Sequence, residues 1–266
     1  LDGAPLLSDI LRNAPYVKIT VTSRERLNLS GETIYTLSGM AYPEQTDADA
    51  HAYNAVQLFV QSARRIQPDF APEGVTPDMV RVCQLTQGMP LAIELAAAWV
   101  GTLSVAEIAD EVAQSVDFLR TTMRDVPQRQ HSVRAVFETT WQRLTEEQQA
   151  AFRRLSVMRG GCSRQAAQTV TGADPITLAE LVNKALLWRN PVSGRYEIHE
   201  LLRQYAERVL IDSGERDSLC EAHSSYYLNA LTQRRTALEG GSQVEALHDI
   251  QSDFENVRAA WMWVAA

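Results

Sequence analysis

The sequence predicts a mainly α-helical protein that begins with a short α/β segment. Three observations lead to this prediction. After about residue 47, apolar residues recur with the period of an α-helix through most of the chain. The first 46 residues instead hold two short runs rich in β-forming residues, and a further pair of such runs flanks a Pro/Gly turn at residues 190–194. The expected architecture is an α/β edge, a small helical bundle, a winged helix and the start of a helical repeat array.

The first region, residues 1–46, is predicted to be the edge of an α/β sheet. An amphipathic helix is expected over Ala4–Asn13 and ends before Pro15, because the residue that precedes a proline disfavours helical backbone. Residues 16–21 are mostly apolar, as in a buried parallel strand, and residues 33–37 are predicted to form a second strand. Both segments are expected to pair with further strands of a sheet.

The second region, residues 47–116, is predicted to be a bundle of about four helices. Helical periodicity runs through residues 51–66, with Ala55, Leu58, Phe59 and Ala63 on one face. The last helix of this bundle begins with a capping box at Ser104-Val105-Ala106-Glu107, in which the serine and glutamate side chains each satisfy a free backbone N–H group. The two intervening helices are expected over residues 76–87 and 91–100.

The third region, residues 117–212, has the element order of a winged helix. Two short β runs, 186–189 and 195–198, flank the turn Asn190-Pro191-Val192-Ser193-Gly194 and predict a hairpin. Helices come before it, and one follows directly; Thr145 is a good N-cap for the second of them. The predicted helices cover residues 131–144, 145–158, 163–170, 176–185 and 200–211.

The last region, residues 213–266, is predicted to be a pair of long helices over 216–235 and 242–266, separated by Gly240-Gly241. A helix pair of this kind is typical of the first unit of a TPR-like sensor array. The sequence holds a single copy, so it provides no repeat to support the assignment.

Composition narrows the possible functions. The net charge is −8, which argues against nucleic-acid or anionic-membrane binding over the whole surface. Lys18 and Lys184 are the only lysines, and neither lies in the Gly-x-x-x-x-Gly-Lys-Ser/Thr motif of a phosphate-binding loop. No run approaches the roughly 20 apolar residues of a membrane span. Three widely spaced cysteines fit neither a disulfide framework nor a zinc site, so a reducing cytoplasm is expected.

Several motifs occur in a characteristic order. Thr22-Ser23-Arg24-Glu25-Arg26-Leu27 follows the first predicted strand, and Gly88-Met89-Pro90-Leu91-Ala92 opens a helix of the bundle. The third motif, Ile198-His199-Glu200-Leu201-Leu202-Arg203, lies where the hairpin meets the next helix. Together they resemble the NB-ARC type of signal-transduction ATPase, a STAND-class and AAA+-related group, and in particular its bacterial regulators. Further typical segments are Arg129-Gln130, Trp141, Thr145-Glu146-Glu147-Gln148 and Phe152-Arg153-Arg154-Leu155-Ser156-Val157.

The resemblance implies a nucleotide site. In that family Arg24 would be a sensor arginine that reads the terminal phosphate of ATP, and Gly88, Pro90 and Leu91 would cover the adenine. His199 would hydrogen-bond the β-phosphate of ADP. Plainer interpretations exist for all of them: Arg24 as a surface arginine, the Gly88–Leu91 segment as an ordinary helix start, and His199 as a helix cap. Relatives often carry Met-His-Asp where this chain has Ile198-His199-Glu200, an acid one methylene longer.

The same resemblance implies cofactors and partners. ADP or ATP is the expected ligand, with Mg²⁺ in the intact protein. The chain resembles a part that begins after the Walker-B strand, so neither tight nucleotide binding nor activity is expected from it alone, and no catalytic or metal-binding residues are assigned. The expected partners are the P-loop portion of the same protein, a protein or ligand signal at the helical array and other copies in a nucleotide-dependent oligomer.

A second class of function stays open. A winged helix can bind DNA directly, as in a transcription regulator, and residues 176–185 would then form the recognition helix. That helix offers one lysine, one glutamate and an apolar face, a poor set for reading base edges or holding phosphates. Eight arginines between Arg120 and Arg159 form a locally basic stretch, for which a solvated helical face or ion pairs between domains is the preferred interpretation. Direct DNA binding is therefore not expected.

Overall fold

The computed structural model describes residues 3–14, 16–23, 25–45, 49–121, 131–238, 240 and 243–265. Over these residues the chain is mainly helical, as predicted, with twelve α-helices and one two-stranded sheet. The helices are α1 (Ala4–Asn13), α2 (Asn54–Ile66), α3 (Thr76–Leu85), α4 (Pro90–Ala97), α5 (Val105–Gln114), α6 (Val133–Trp141), α7 (Glu146–Leu155), α8 (Arg164–Thr171), α9 (Pro175–Asn183), α10 (Glu200–Asp212), α11 (Arg216–Leu238) and α12 (Gln243–Ala265). The strands are β1 (Trp188–Arg189) and β2 (Tyr196–Glu197).

The two strands predicted in the first region are not formed. Helix α1 is present, but the described backbone of residues 16–23 and 25–45 includes no strand. A strand is held by hydrogen bonds to a neighbouring strand, and the described part of this chain provides none beside these segments. In these segments, β-rich composition therefore gave backbone without regular secondary structure. Helix α1 buries none of its residues, and Leu6, Tyr16 and Tyr35 are exposed.

Helices α2–α5 form a compact bundle around a shared apolar core. The predicted face of α2 is confirmed, since Ala55, Phe59 and Ala63 are fully buried and Leu58 is half-buried against the same core. The predicted capping box at the start of α5 is also confirmed: Glu107 N–H donates to Ser104 Oγ, and Ser104 N–H donates to the Glu107 carboxylate. The bundle thus presents a rigid frame for the turn between α3 and α4.

Helices α6–α10 and the hairpin follow the order predicted for a winged helix. The hairpin is antiparallel and pairs Trp188 with Glu197 and Arg189 with Tyr196. Tyr196 also exchanges two backbone hydrogen bonds with Cys162, at 2.8 and 2.9 Å, so the loop after α7 extends the hairpin on its other side. This additional pairing fixes the Arg159–Cys162 segment next to the start of α10.

Helices α11 and α12 pack along each other as the predicted hairpin of long helices. Helix α11 also contacts α8, and Glu215 just before it pairs with Arg153 and Arg154 of α7. Helix α12 reaches the loop after α7 through Asn256, which is fully buried. The helical hairpin therefore lies directly against the winged-helix unit; the domain boundaries at residues 46, 116 and 212 stay predictions.

Candidate functional site

The turn Thr86–Gly88, here called the lid turn, ends α3 and leads into α4. Gly88 N–H donates to the carbonyl of Cys83 at 3.0 Å and Gln87 N–H donates to Gln84 at 2.9 Å, so the last carbonyls of the helix are satisfied. Gln87 and Gly88 both have positive φ, 46° and 68°. Gln87 therefore adopts a backbone conformation that residues with a Cβ atom rarely adopt.

Gly88 is required by close backbone contact as well as by its φ angle. A Cβ atom added there would lie 2.1 Å from the carbonyl oxygen of Met40. Met40 N–H donates to the Gly88 carbonyl at 2.8 Å, and this bond joins the lid turn to the non-helical segment of the first region. Pro90 lies in the first turn of α4 and is exposed, while Leu91 is half-buried.

His199 is the N-cap of α10 and contacts the lid turn. Its Nδ1 accepts a hydrogen bond from Leu201 N–H at 3.2 Å, and the ring also hydrogen-bonds the backbone of Thr86. Since Nδ1 accepts, the neutral ring carries its proton on Nε2. The histidine of one predicted motif thus lies against the turn that begins the other.

Two glutamines also join the start of α10 to the helical bundle, at what is here called the junction. Glu200 N–H, the first amide of α10, donates to Gln87 Oε1 at 3.2 Å, across 113 residues of sequence. Gln204 Nε2 donates to the carbonyl of Val112 near the end of α5, at 3.4 Å. The first turns of α10 are therefore held against the helical bundle by side chains from both sides, and the free N–H groups at the helix start are used inside the protein.

A network of ion pairs lies on the other side of α10. Arg203, 9% exposed, binds both carboxylate oxygens of Glu200 at 2.7 and 2.8 Å and one oxygen of Glu207 at 2.6 Å. Glu207 also accepts from Arg159 Nη2 at 3.0 Å. A cavity of about 250 Å³, lined in part by Gln87, Arg159 and Arg203, separates this network from β2.

Burial changes the ionisation of the groups at the junction. The pKa of His199 is lowered to about 4, because burial disfavours the imidazolium more than the bond to Thr86 favours it. Burial also raises the pKa of Glu200, against the opposing effects of Gln204 and Arg159. His199 is therefore neutral at physiological pH and can donate one hydrogen bond and accept another.

Stability is expected to fall as the pH drops from about 6.5 to about 4. The unfolded chain protonates His199 first, near its ordinary pKa of about 6.5, so the stabilisation is complete above that pH and is lost as pH approaches the folded-state pKa. At 1.36 kcal/mol for each unit of pKa, the loss amounts to about 3 kcal/mol. Urea denaturation over this pH range measures it.

His199→Gln should flatten that part of the pH profile, whereas His248→Gln, at an exposed position of α12, should leave it unchanged. Burial also lowers the pKa of His223, so a shallower slope of the same sign remains in His199→Gln. Parallel profiles for wild type and His199→Gln would show that His199 does not titrate differently in the folded state.

The structure brings together some predicted residues and leaves others untested. Gly88 and His199 meet at the lid turn, and Pro90 and Leu91 follow directly in α4. Arg24 lies outside the described residues; the next residue, Glu25, pairs with Lys184 at 3.5 Å, near the end of α9. A nucleotide-binding role for Arg24, Gly88, Pro90, Leu91 and His199 stays a prediction.

Sequence reasoning missed Gln87, Arg203 and Glu207. The ion pairs on α10 had a signal, since Glu200, Arg203 and Glu207 are spaced i, i+3 and i+7 and so share one face of a helix. The role of Gln87 had no signal in the sequence, because nothing in a sequence shows that a glutamine will take a positive φ and reach the start of a helix more than a hundred residues away.

The polar groups on the candidate recognition helix are largely used inside the protein. Glu180 of α9 accepts a hydrogen bond from Gln148, and Lys184 pairs with Glu25. The arginine-rich stretch shows a similar pattern, with Arg134 paired to Asp117 and Arg159 to Glu207. Among the described residues no group of acidic, histidine or cysteine side chains could hold a metal ion, and no helix is long and apolar enough to cross a membrane.

Comparisons with known proteins place the chain near bacterial proteins. No family model matches it. It is 32% identical over 270 residues to a protein of Mycobacterium tuberculosis (strain ATCC 25618 / H37Rv) named "Putative HTH-type transcriptional regulator", covering 98% of this chain and 29% of that one. It is 30% identical over 250 residues to an uncharacterized protein of the same strain, covering 90% of this chain and 60% of the relative. The chain thus spans less than two thirds of either relative.

One solved structure is similar over part of its length. It is the crystal structure of a Signal Transduction ATPase with Numerous Domains (STAND) protein with a tetratricopeptide repeat sensor from Pyrococcus horikoshii. The sequences are 18% identical, and the match covers 80% of this chain and 30% of that one, with a TM-score of 0.34. A TM-score of this size does not establish a common fold.

Proposed function

We propose that this chain is the regulatory portion of an ADP/ATP-dependent switch in signal transduction or transcription regulation. The observation that carries the proposal is the meeting of two separate motifs: His199, at the start of α10, contacts the turn that precedes Pro90. The resemblance to NB-ARC-type ATPases assigns both motifs to one nucleotide site. The name of the mycobacterial relative fits a role in regulation.

The hydrogen bonds of His199 indicate how such a switch would operate. In this conformation one ring nitrogen accepts from Leu201 and the ring interacts with the backbone of Thr86, so donation from His199 to a phosphate would compete with its contact to the lid turn. The nucleotide and the lid turn would therefore compete for the same ring. A ligand shifts such an equilibrium only by its difference in affinity for the two states.

The remaining parts of the proposal concern partners. The phosphates and Mg²⁺ would be held by a P-loop portion of the same protein, for which α1 and residues 16–23 and 25–45 provide an exposed apolar surface that includes Leu6, Tyr16 and Tyr35. The helical hairpin would receive a protein or ligand signal. Exchange of ADP for ATP would release the closed state and permit oligomerisation, in the cytoplasm.

His199→Ala in the full-length protein is expected to weaken ADP binding by about 10- to 150-fold. A hydrogen bond to a charged group is worth about 1.5–3 kcal/mol, which corresponds to that range of affinity. Loss of ADP should also increase self-association, because the closed state loses the ligand that favours it. Calorimetry gives the affinity, and light scattering gives the oligomer size.

His248→Ala, which removes an exposed imidazole from α12, is the matched control and should bind ADP as the wild type does. If His199→Ala lowers only the melting temperature and leaves ADP affinity unchanged, His199 is a structural helix cap. The proposed role at the β-phosphate would then be wrong.

The alternative function, direct DNA binding by the winged helix, predicts a different result. With net charge −8 and a candidate recognition helix whose charged groups are paired internally, we expect no specific complex tighter than about 1 μM, where non-specific affinities lie. The measurement is a fluorescence titration at physiological salt with duplexes enriched from a random-sequence pool. A sequence-specific nanomolar complex would favour the transcription regulator that acts directly on DNA.

A further inference from the structure

Helix α12 holds the loop after α7 through a buried polar clamp. Asn256 is fully buried; its Oδ1 accepts from the backbone N–H of Arg159 at 2.8 Å, and its Nδ2 donates to the carbonyl of Gly161 at 2.8 Å. The same Oδ1 lies 3.1 Å from His223 Nε2 of α11. Both polar atoms of this amide thus have partners, which favours a single arrangement of the buried group.

A second residue of α12 is bonded to the β1–β2 hairpin. Asp253, one turn before Asn256, pairs with Arg195 at 2.9 Å, and Arg195 also donates to the Gly161 carbonyl at 2.9 Å. The loop is shaped for close contact, because a Cβ atom on Gly161 would lie 2.9 Å from the Tyr196 carbonyl oxygen. Movement of α12 would therefore move the segment 159–161 with it.

The ion pairs of α10 continue from this loop to the lid turn. Arg159, whose N–H is held by Asn256, pairs with Glu207, and Glu207 pairs with Arg203. Arg203 binds the carboxylate of Glu200, and the N–H of Glu200 is held by Gln87. Each of these contacts is between 2.6 and 3.2 Å.

We propose that this chain of contacts, Asn256–Arg159–Glu207–Arg203–Glu200–Gln87, is a relay that couples the helical hairpin to the lid turn. The position of α12 then sets how firmly the helical bundle holds the start of α10, and so regulates the contact between His199 and Thr86. The relay deepens the proposed function, since it names what would regulate the nucleotide site, and it rests on that function only for the nucleotide measurement below.

Hydrogen exchange of the full chain tests the relay from both ends. Asn256→Ala should speed exchange of the amides of residues 200–203 by at least about tenfold, although Asn256 touches none of them. Gln87→Gly removes the acceptor at the other end and relieves the positive φ of Gln87, so it should fold. Because coupling between sites is reciprocal, it should speed exchange of the Arg159 and Gly161 amides.

Controls separate coupling from a general loss of stability. Val257→Ala also shortens a side chain on α12 next to the clamp but leaves every relay contact in place, so residues 200–203 should exchange as in the wild type. Glu207→Gln breaks the relay in its middle; combined with Asn256→Ala it should add nothing at residues 200–203, since contacts in one chain are not additive. Glu207→Gln is also the substitute if Asn256→Ala does not fold.

The proposal fails if Asn256→Ala changes exchange only in α12 and residues 159–161, or if the effects of Asn256→Ala and Glu207→Gln simply add. In the full-length protein, Asn256→Ala and Gln87→Gly should each change ADP affinity by about tenfold. If the wild type itself binds no ADP, the proposed function is wrong while hydrogen exchange still decides the relay. If the wild type binds ADP and both variants bind it equally well, the relay does not regulate the site.

Discussion

Arg203→Met is expected to lower the free energy of unfolding by about 3–5 kcal/mol. Arg203 is nearly buried and is the shared partner of the carboxylates of Glu200 and Glu207; it also donates to the Ser156 carbonyl. Methionine fills a similar volume but leaves both carboxylates without that partner in a partly buried site. Removal of one member of such a network is costly because it leaves uncompensated buried charge.

Arg208→Ala on the same helix is the matched control. Arg208 and Asp212 are separated by 3.7 Å and both side chains are more than 60% exposed, so this pair is worth about 0–1 kcal/mol. The loss of stability for Arg203→Lys should lie between those of Arg203→Met and Arg208→Ala, since lysine keeps the charge but cannot bind the Glu200 carboxylate with two N–H groups. Chemical denaturation measures all three; equal losses for Arg203→Met and Arg208→Ala would show that burial of the network contributes nothing.

Gly88→Ala is expected to cost about 4 kcal/mol of stability. The left-handed conformation of this residue costs an alanine about 1–2 kcal/mol, and the new methyl group would meet the Met40 carbonyl oxygen at 2.1 Å. Because the clash is with backbone, the lid turn or the segment that carries Met40 must move, at a cost of about 1–3 kcal/mol typical of overpacking. The hydrogen bond between Met40 and Gly88 would be lost with that movement.

Gly172→Ala isolates the conformational part of this cost. Gly172 ends α8 with φ 75° and has open space where a Cβ would lie, so it should lose only about 1–2 kcal/mol. The difference between the two variants in chemical denaturation then measures the close backbone contact at the lid turn. If they lose the same amount, the turn has room to move and does not depend on glycine for its contact with Met40.

Local patterns were enough to predict most of the helices and the hairpin. The capping box predicted at Ser104 and the N-cap predicted at Thr145 mark helix starts because their side chains bond backbone groups three residues away, and both are present in the structure, where Thr145 also forms a capping box with Gln148. The hairpin around residues 190–194 likewise depends on a turn and its two flanking runs. In each case the interacting groups are close in sequence, so the sequence alone contains the information.

The first region shows where local patterns fail. Residues 16–21 and 33–37 have β-rich composition, yet a strand also needs a neighbour, and the described part of the chain does not provide one. Lys184 is the one lysine of the candidate recognition helix, and its ion pair with Glu25 depends on how the end of α9 lies against the segment that begins at residue 25. Both outcomes depend on partners that are distant in sequence.

What the sequence determined by itself is the mainly helical class, the order of the elements and the position of His199 at the start of a helix. These follow from periodicity, turns and caps, which act over a few residues. Only the tertiary structure decided that His199 meets Thr86, that Gln87 holds the Glu200 amide, and that Asn256 holds Arg159. Those contacts join residues about 100 apart, and they form because packing of the apolar faces of the helices brings the polar groups within hydrogen-bonding distance.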